Sequence, residues 1–522
     1  MRKGILCVTL LLLLYSCAKR STPEGGEKDE IPPKVLSSKP ENSSINFDEK
    51  KIRITFDEYI KLEKLNSQLV VSPPIDKSNY SIFPQGGASK HIDIEINESL
   101  SDSTTFVFNF GESIKDNNEG NLLPFYKYVF STGSYVDSLE LKGNVYDSYE
   151  RKQEGYITAM LYPKNESFND STIYKEKPLY ISSTLDSTFF NFSNLKKGEY
   201  ALLALKDYNN NLLFDPLSDK VAFIDSTIII PTKSEFNLKL FKEIPEYKVF
   251  KPFQEFSNRV SFGHRGNIDS LKINLLNENI ESIITKEEDK DTLNYWFRSF
   301  DYDTLRFEVK NKLDFDEFKI AKREYENDTL IISKYSDKFE LGDQFSLKST
   351  IPIIDLDNSK ITIINKDSTL IPFTAEFNNH KIDFDFEILP SDRYSIEIMP
   401  NAIIDFFENT NDTLNYNFTT KKRSDYGNLY LNLSGINYDK LIVELLNLKG
   451  EIIKSNFLKS SSDPCTFENI LPGDYTIRVI NDLNKNNLWD TGNFLKKIKP
   501  EPTYHHNDTI KVRANWVIRE RL

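Results

Sequence analysis

The stretch GEYALLALKDYNNNLLFD, residues 198–215, recurs later in the chain as GDYTIRVINDLNKNNLWD, residues 473–490. Each copy has a turn glycine, a tyrosine two positions later, an apolar run typical of a buried strand, and an Asn-rich loop. The match begins upstream at Asn194 and Asn469 and contains no gap. The chain is therefore predicted to contain the same unit of β structure twice.

A weaker match lies upstream of each copy, where Ile114 and Asp116 correspond to Ile403 and Asp405. Both matches together indicate two copies of a two-domain unit, separated by an extra segment. A chain of 522 residues is also too long for one hydrophobic core. We predict five folded segments, which are numbered here from first to fifth: 33–135, 136–243, 244–340, 341–425 and 426–522.

The composition favours strands throughout these segments. The chain has 37 Phe and 26 Tyr but only 3 Met. Apolar and polar residues alternate in stretches such as KIRITF (51–56) and KIDFDFEI (381–388), which is the period of a half-buried strand. The prediction is an all-β fold of several antiparallel β-sandwiches in tandem. The formal net charge of −13 argues against nucleic-acid binding.

The N-terminus has the pattern of a secretion signal, with Arg2 and Lys3 before an apolar run too short to be a permanent membrane span. Its end, LYSC (14–17), resembles the lipobox of bacterial lipoproteins, which implies a signal peptide over 1–16 and lipidation of Cys17. The alternative is an ordinary signal with a chance cysteine. Residues 17–32 are polar and contain Gly and Pro, as expected of a flexible tether.

Two family resemblances follow from these motifs. The stretch IPPKVLSSKPENSSINFDEKKIRITFDEYI (31–60), followed by TTFVFNFGESIKDNNEGN and YKYVFSTG, resembles the bacterial Ig-like domain of the SbsA type found in lipoproteins. The fourth segment resembles the same domain more weakly. The second and fifth segments are similar to transthyretin-like or carboxypeptidase-regulatory-like sandwiches through LKKGEY and LPGDY. That resemblance implies accessory β-sandwiches rather than catalytic units.

The Asn-rich loops place oxygen-bearing side chains at loop positions one, three, five and nine, with a backbone carbonyl at seven, which suits Ca²⁺. A metal-free, Asx-rich turn is the alternative, because Asn and Asp favour turns. Ser218, Asp219 or Asn493 would complete the coordination. The predicted structural calcium ligands are Asp207, Asn209, Asn211, Leu213 and Asp215 in the first loop, and Asp482, Asn484, Asn486, Leu488 and Asp490 in the second.

Tyr200 and Tyr475 each follow a turn glycine by two positions. This spacing predicts a tyrosine corner, in which the ring packs into the sandwich and the hydroxyl bonds to the upstream backbone. Both residues are therefore interpreted as structural.

No common catalytic motif is present in the sequence, and Cys465 has no histidine near it. We expect a non-enzymatic lipoprotein, anchored to the outer membrane, that acts as a binding or scaffold subunit for another envelope protein, such as an outer-membrane β-barrel or its assembly machinery. The alternatives are a glycan-binding or adhesive surface lipoprotein and an unrecognised hydrolase. Which face of the membrane the body occupies is left open.

Overall fold

The computed structural model describes residues 29–244, 248–266, 268, 271–288, 290–310, 315–436 and 438–522. The predicted signal peptide, Cys17 and most of the tether lie outside these residues. Regular structure is almost entirely β-strand, so the all-β prediction is confirmed. Among the described residues, no helix has the length and apolar character needed to cross a bilayer.

The first segment forms two sheets, ordered β4-β5-β2-β7-β8, with β1 also on β2, and β3-β6-β9. Ile52, Ile54 and Phe56 alternate inward from β2 and pack against phenylalanines of the facing sheet. A one-turn helix, α1 (Leu65–Gln68), follows β2. The strands are β1 (Val35–Lys39), β2 (Lys51–Leu62), β3 (Val70–Ser72), β4 (Tyr80–Phe83), β5 (Ser89–Ile96), β6 (Thr105–Asn109), β7 (Ile114–Asp116), β8 (Leu122–Leu123) and β9 (Lys127–Ser131).

The second segment pairs a three-stranded sheet, β13-β10-β17, with the sheet β12-β11-β14-β15, in which β16 also pairs with β14. Strands β10 and β17 are parallel. Short 3₁₀ turns lie at Lys77–Asn79 in the first segment and at Thr172–Tyr174 in the second. The strands are β10 (Leu139–Asp147), β11 (Thr158–Pro163), β12 (Tyr180–Ser183), β13 (Phe189–Leu195), β14 (Gly198–Lys206), β15 (Lys220–Phe223), β16 (Ile228–Ile230) and β17 (Glu235–Leu240).

The third segment has the sheets β18-β20-β23-β22, with β19 also on β20, and β21-β24-β25. Phe262 and Phe307 are buried between them. The strands are β18 (Lys248–Val249), β19 (Phe253–Phe256), β20 (Arg259–Arg265), β21 (Lys272–Leu275), β22 (Ser282–Lys286), β23 (Thr292–Phe297), β24 (Thr304–Lys310) and β25 (Phe315–Ala321).

The fourth segment has the sheets β26-β27-β31-β30, β28-β33 and β29-β32-β34. This pairing resembles that of the first segment, with two differences among the described strands: the long strand β2 is replaced by β27 and β28, which are interrupted near Pro352, and β8 has no counterpart. The strands are β26 (Ile332–Lys334), β27 (Phe345–Ser349), β28 (Ile353–Leu356), β29 (Ile361–Ile364), β30 (Phe373–Asn378), β31 (Lys381–Phe386), β32 (Arg393–Ile398), β33 (Ile403–Asp405) and β34 (Leu414–Thr419).

The predicted boundary between the third and fourth segments, at residues 340 and 341, falls after a strand that pairs with the fourth segment. Strand β26 lies before that boundary but pairs with β27 of the fourth segment. This segment lacks the Pro-Pro opening that marks the first one, so its first strand carries no recognisable signal. We therefore propose that the fourth segment begins near residue 330.

The fifth segment repeats the strand order of the second, with the sheets β38-β35-β42 and β37-β36-β39-β40, and β41 on β39. Strands β35 and β42 are again parallel. Short 3₁₀ turns lie at Asn358–Lys360 within the fourth segment and at Arg423–Asp425 at its end. The strands are β35 (Gly427–Asn432), β36 (Leu441–Asn447), β37 (Ile452–Leu458), β38 (Cys465–Ile470), β39 (Gly473–Asn481), β40 (Thr503–His505), β41 (Ile510–Val512) and β42 (Val517–Arg521).

The weaker sequence match marks a shared turn. Asp116 and Asp405 are both buried at the ends of their strands. The Asp116 carboxylate accepts hydrogen bonds from four successive backbone amides, those of residues 118–121. Asp405 accepts from the amides of Phe407 and Asn409. A buried carboxylate thus organises the same turn in both segments.

Candidate functional site

The first Asn-rich loop, Asp207–Asp215, connects β14 to β15 and is held by hydrogen bonds of its own side chains. Asp207 Oδ2 accepts from the Leu212 amide at 2.7 Å, and Asn211 Oδ1 accepts from the Leu213 amide at 2.8 Å. Asp215 Oδ1 accepts from the Leu217 amide at 2.9 Å. Asp207 Oδ1 is shielded from solvent and has no hydrogen-bond partner. This loop therefore retains one unused carboxylate oxygen.

Other side-chain bonds position the rest of this loop. Asn209 donates through Nδ2 to Ser218 Oγ at 3.1 Å, so its amide points towards the end of the loop. Asn210 and Leu212 have positive φ values of 53° and 62°, as Asx-rich turns commonly do.

The second Asn-rich loop, Asp482–Asp490, connects β39 to β40 and has no such unused oxygen on its first aspartate. Asp482 Oδ1 accepts from the Asn486 amide at 3.0 Å, and Oδ2 accepts from the Asn487 amide at 2.9 Å. The Lys440 ammonium lies 3.2 Å from Oδ2. Burial alone would raise the pKa of Asp482, but these amides and Lys440 lower it. A protein cation already neutralises this carboxylate.

The remaining predicted ligands of the second loop bond to one another. Asn484 and Asn486 both donate through Nδ2 to Asp490 Oδ2 at 2.7 Å. Asn486 Oδ1 accepts from the Leu488 amide at 2.7 Å. The structure thus brings these side chains together, in a hydrogen-bonded turn.

A further carboxylate braces each loop from its C-terminal side. Asp219 accepts from the amides of Tyr208 and Asp215, of which Asp215 lies four residues before it. Glu501 accepts from the amides of Leu483 and Asp490, of which Asp490 lies eleven residues before it. These amides occupy equivalent positions in the two copies. The sequence interpretation offered Asp219 only as an extra calcium ligand and missed Glu501, although both lie just before the next strand.

The calcium prediction depends on how many carboxylates each loop brings together. In the part of the chain that the structure describes, no group of three or more His, Cys, Asp or Glu side chains is arranged to hold a metal ion. A calcium ion would therefore have to rely on Asn oxygens and backbone carbonyls beside one or two carboxylates. The unused Asp207 oxygen makes the first loop the better candidate.

The two tyrosines at the repeat turns have the same environment. Tyr200 Oη donates to the Lys196 carbonyl at 2.9 Å, and Tyr475 Oη donates to the Leu471 carbonyl at 2.8 Å. Both rings are buried in their sandwich cores. Each hydroxyl therefore ties its strand to the carbonyl four residues upstream.

The fifth segment docks on the second through the chain that follows its Asn-rich loop. Phe494 is 3% exposed and packs into the cluster formed by β11, β14 and β15, with its ring centroid 5.3 Å from that of Phe223. Its amide donates to Glu243, and Thr491 Oγ1 donates to the Lys242 carbonyl at 2.6 Å. This extension has no counterpart in the first loop.

The second segment covers the fifth in return, through the connection between β10 and β11. Arg478 is 2% exposed and forms a 2.6 Å ion pair with buried Glu444. Its guanidinium stacks on the Tyr149 ring at 3.6 Å and donates to the Tyr149 carbonyl at 3.1 Å. The Tyr149 ring also packs against the Trp489 ring, with 4.5 Å between the two ring centroids. The second and fifth segments therefore each bury side chains of the other in one interface.

His505 lies at the same contact. Burial lowers the pKa of His505 to about 4, and the nearby positive charge of Arg478 is the second-largest cause. The imidazole is therefore neutral at physiological pH.

Cys465 is buried in the core of the fifth segment, where burial raises the pKa of its thiol. This makes Cys465 a packing residue rather than a nucleophile.

Comparison with known proteins identifies one domain. Residues 29–132 match the family model of the bacterial Ig-like domain, in agreement with the resemblance of the first segment. No curated protein matches the chain.

Similar solved structures include surface proteins at low similarity. The S-layer protein SbsC is 11% identical over 87% of this chain and 66% of its own, with a TM-score of 0.14. The major pilin subunit BcpA of Bacillus cereus is 10% identical over 74% of this chain and 99% of its own, with a TM-score of 0.14. The SGBP-B protein of a Bacteroides ovatus mixed-linkage glucan utilization locus, solved with a heptasaccharide, is 10% identical over 71% of this chain and 93% of its own, with a TM-score of 0.19. These TM-scores are too low to indicate a shared arrangement or function.

Proposed function

We propose that the protein is a non-catalytic lipoprotein, anchored to the outer membrane through Cys17, that serves as a binding or scaffold subunit for another envelope protein. The observation that carries this proposal is the docking of the fifth segment on the second. A string of independent sandwiches would hold a partner at a variable distance. Contacts made by buried Arg478 and Phe494 instead fix two distant parts of the chain against each other.

Contacts between the first and second segments extend this fixed arrangement towards the anchored end. The Ile181 amide donates to Ser72 Oγ at 3.0 Å, and Thr105 Oγ1 donates to Asp137 Oδ2 at 2.9 Å. Lys127 Nζ donates to Ser193 Oγ at 3.0 Å. A body with such contacts suits a scaffold that presents its surfaces at a set distance from the membrane.

Crosslinking of the native protein in its own membrane tests this function. We expect an envelope protein to be crosslinked to the wild-type chain and lost with Cys17→Ser, which removes the acylated thiol. A Cys17→Ser chain that still partitions into the membrane with mature mobility would contradict the anchor. Wild-type chain without any crosslinked envelope protein would contradict the scaffold.

Glycan binding is a second candidate, and a cleft between the first and second segments favours it. The cleft has a volume of about 600 Å³ and is lined by Tyr80, Tyr156 and the Asn210–Asn211 part of the first loop. Aromatic rings and amides are the groups that bind sugars, and clefts between domains are common ligand sites. Binding of soluble oligosaccharides that is lost with Tyr80→Ala would favour this function; no binding would exclude it.

A further inference from the structure

Strand β37, Ile452–Leu458, is the edge strand of its sheet, which is ordered β37-β36-β39-β40. In the described part of the chain no strand pairs with its outer side. It also exposes apolar side chains: Ile452 is 48% exposed, Ile453 43% and Phe457 55%. A long edge strand with exposed apolar residues is a template for pairing with another strand.

The corresponding edge strand of the second segment is protected. Strand β12 has four residues, and β3 of the first segment lies against it, with Ser72 Oγ accepting from the Ile181 amide. The fourth segment approaches β37 near Gly342, close to the Lys454 ammonium. Ile453 and Phe457 remain exposed, so the repeat has one covered edge and one open edge.

The sequence of the open edge, EIIKSNFLK (451–459), is self-complementary about Ser455. Two antiparallel copies related by a two-fold axis at Ser455 place Ile453 opposite Phe457 and Glu451 opposite Lys459. Each pair then occurs twice. Opposed apolar side chains and opposite charges are the cross-strand pairs that stabilise antiparallel sheets, and a two-fold interface requires such self-complementarity.

Strand β37 is regular around the proposed axis and has a β-bulge at its start. The β36–β37 ladder shifts between Leu445 and Leu446, which leaves Ile453 as an extra residue. From Lys454 to Leu458 the ladder is regular, so Ser455 lies within straight strand. Glu451, Ser455, Phe457 and Lys459 are all exposed.

We propose that β37 docks a second copy of this chain, and that the two β37 strands pair antiparallel about Ser455 to join their sheets. The occupant is the chain itself because the charges and apolar residues of β37 complement its own sequence. This surface is the outer edge of β37, which adjoins the docked contact of the second and fifth segments, because Ser455 is the cross-strand partner of Glu444.

A cysteine at the proposed axis tests the pairing directly. In the full-length chain in its membrane, Ser455→Cys places two thiols opposite each other, at a separation that a disulfide can span. We expect oxidation to give a disulfide-linked dimer. Thr374→Cys is the matched control, since Thr374 is an exposed residue on the edge strand β30. Absence of the dimer, or equal yields from both variants, would overturn the proposal.

Charge reversal in the Ser455→Cys background provides the second test. Glu451→Lys puts like charges opposite each other at both symmetric positions, and we expect about tenfold weaker dimerisation. The pair Glu451→Lys with Lys459→Glu exchanges the charges and restores the dimer. A single reversal without effect, or a double reversal without recovery, would show that any dimer uses another register and would overturn the assignment.

Discussion

The second and fifth segments differ at one equivalent cross-strand pair in their sheets. In the second segment, Met160 on β11 stands opposite Leu203 on β14, and both are buried. In the fifth, the equivalent pair is Glu444 and Arg478, which form a buried ion pair. The apolar pair is covered by Phe494 of the fifth segment, whereas the ion pair is covered by Tyr149 of the second. Duplicated sandwiches have therefore diverged into complementary halves of one contact.

Breaking the ion pair should have the largest effect. Arg478→Ala leaves the Glu444 carboxylate buried without its partner, and we expect a loss of about 3–5 kcal/mol in the free energy of unfolding. Chemical denaturation measures this loss. Arg513→Ala, which removes an exposed arginine, is the control and should change stability little.

A double variant gives the fifth segment the apolar pair of the second segment. Glu444→Met with Arg478→Leu should recover most of the stability that Arg478→Ala loses, because matched apolar residues can replace a buried ion pair. Recovery would be incomplete, since the stacking on Tyr149 is also lost. A double variant as unstable as Arg478→Ala would contradict this view of the contact.

Removing the side chain that covers the apolar pair should cost slightly less. Phe494→Ala empties a buried site in the cluster of the second segment, and we expect a loss of about 3 kcal/mol. The second and fifth segments should then unfold in separate calorimetric transitions. The neighbouring Leu495, 55% exposed, gives the control Leu495→Ala. A single unchanged transition for Phe494→Ala would show that docking does not depend on this ring.

Much of this divergence was not predictable from sequence. The repeat, the turn glycines and the strand alternation predicted the all-β sandwiches, because these patterns follow from local backbone and burial requirements. The same position carries Leu203 in one copy and Arg478 in the other, and nothing local indicates that Tyr149, more than 300 residues away, covers Arg478. Glu501 was also missed, because the extension that carries Phe494 separates it from the loop that it braces.

Acidification should weaken the contact through His505. Its pKa of about 4 lies below the value near 6.5 of an unfolded histidine, so the unfolded chain binds a proton more readily between these values. The stability contributed by the neutral imidazole is fully present above about pH 6.5 and is lost progressively as pH falls from 6.5 through 4. We expect wild type to lose about 1 kcal/mol more than His505→Gln between pH 7 and pH 5.5, as measured by denaturant titration. Parallel curves for both proteins would exclude this residue as the cause.

The tyrosine corners should behave alike, because the structure gives them the same bond. Tyr200→Phe and Tyr475→Phe each remove one hydroxyl and leave the Lys196 or Leu471 carbonyl without its donor. We expect each variant to lose about 1–2 kcal/mol. Tyr59→Phe, at an exposed tyrosine, is the control. Unchanged melting in both corner variants would contradict the assignment.

Calcium should produce the smallest effect, and the loops should differ in it. Asp207 has an unused oxygen, whereas Asp482 is already paired with Lys440. For a millimolar site, a few millimolar Ca²⁺ should stabilise the metal-free protein by about 1 kcal/mol, mainly through the first loop. Asp207→Asn with Asp215→Asn should abolish this gain, and Lys440→Gln should add a response from the second loop because it removes the competing cation. If calorimetric titration of wild type and Lys440→Gln detects no binding up to millimolar calcium, both loops are metal-free turns in which Asn and Asp satisfy the backbone alone.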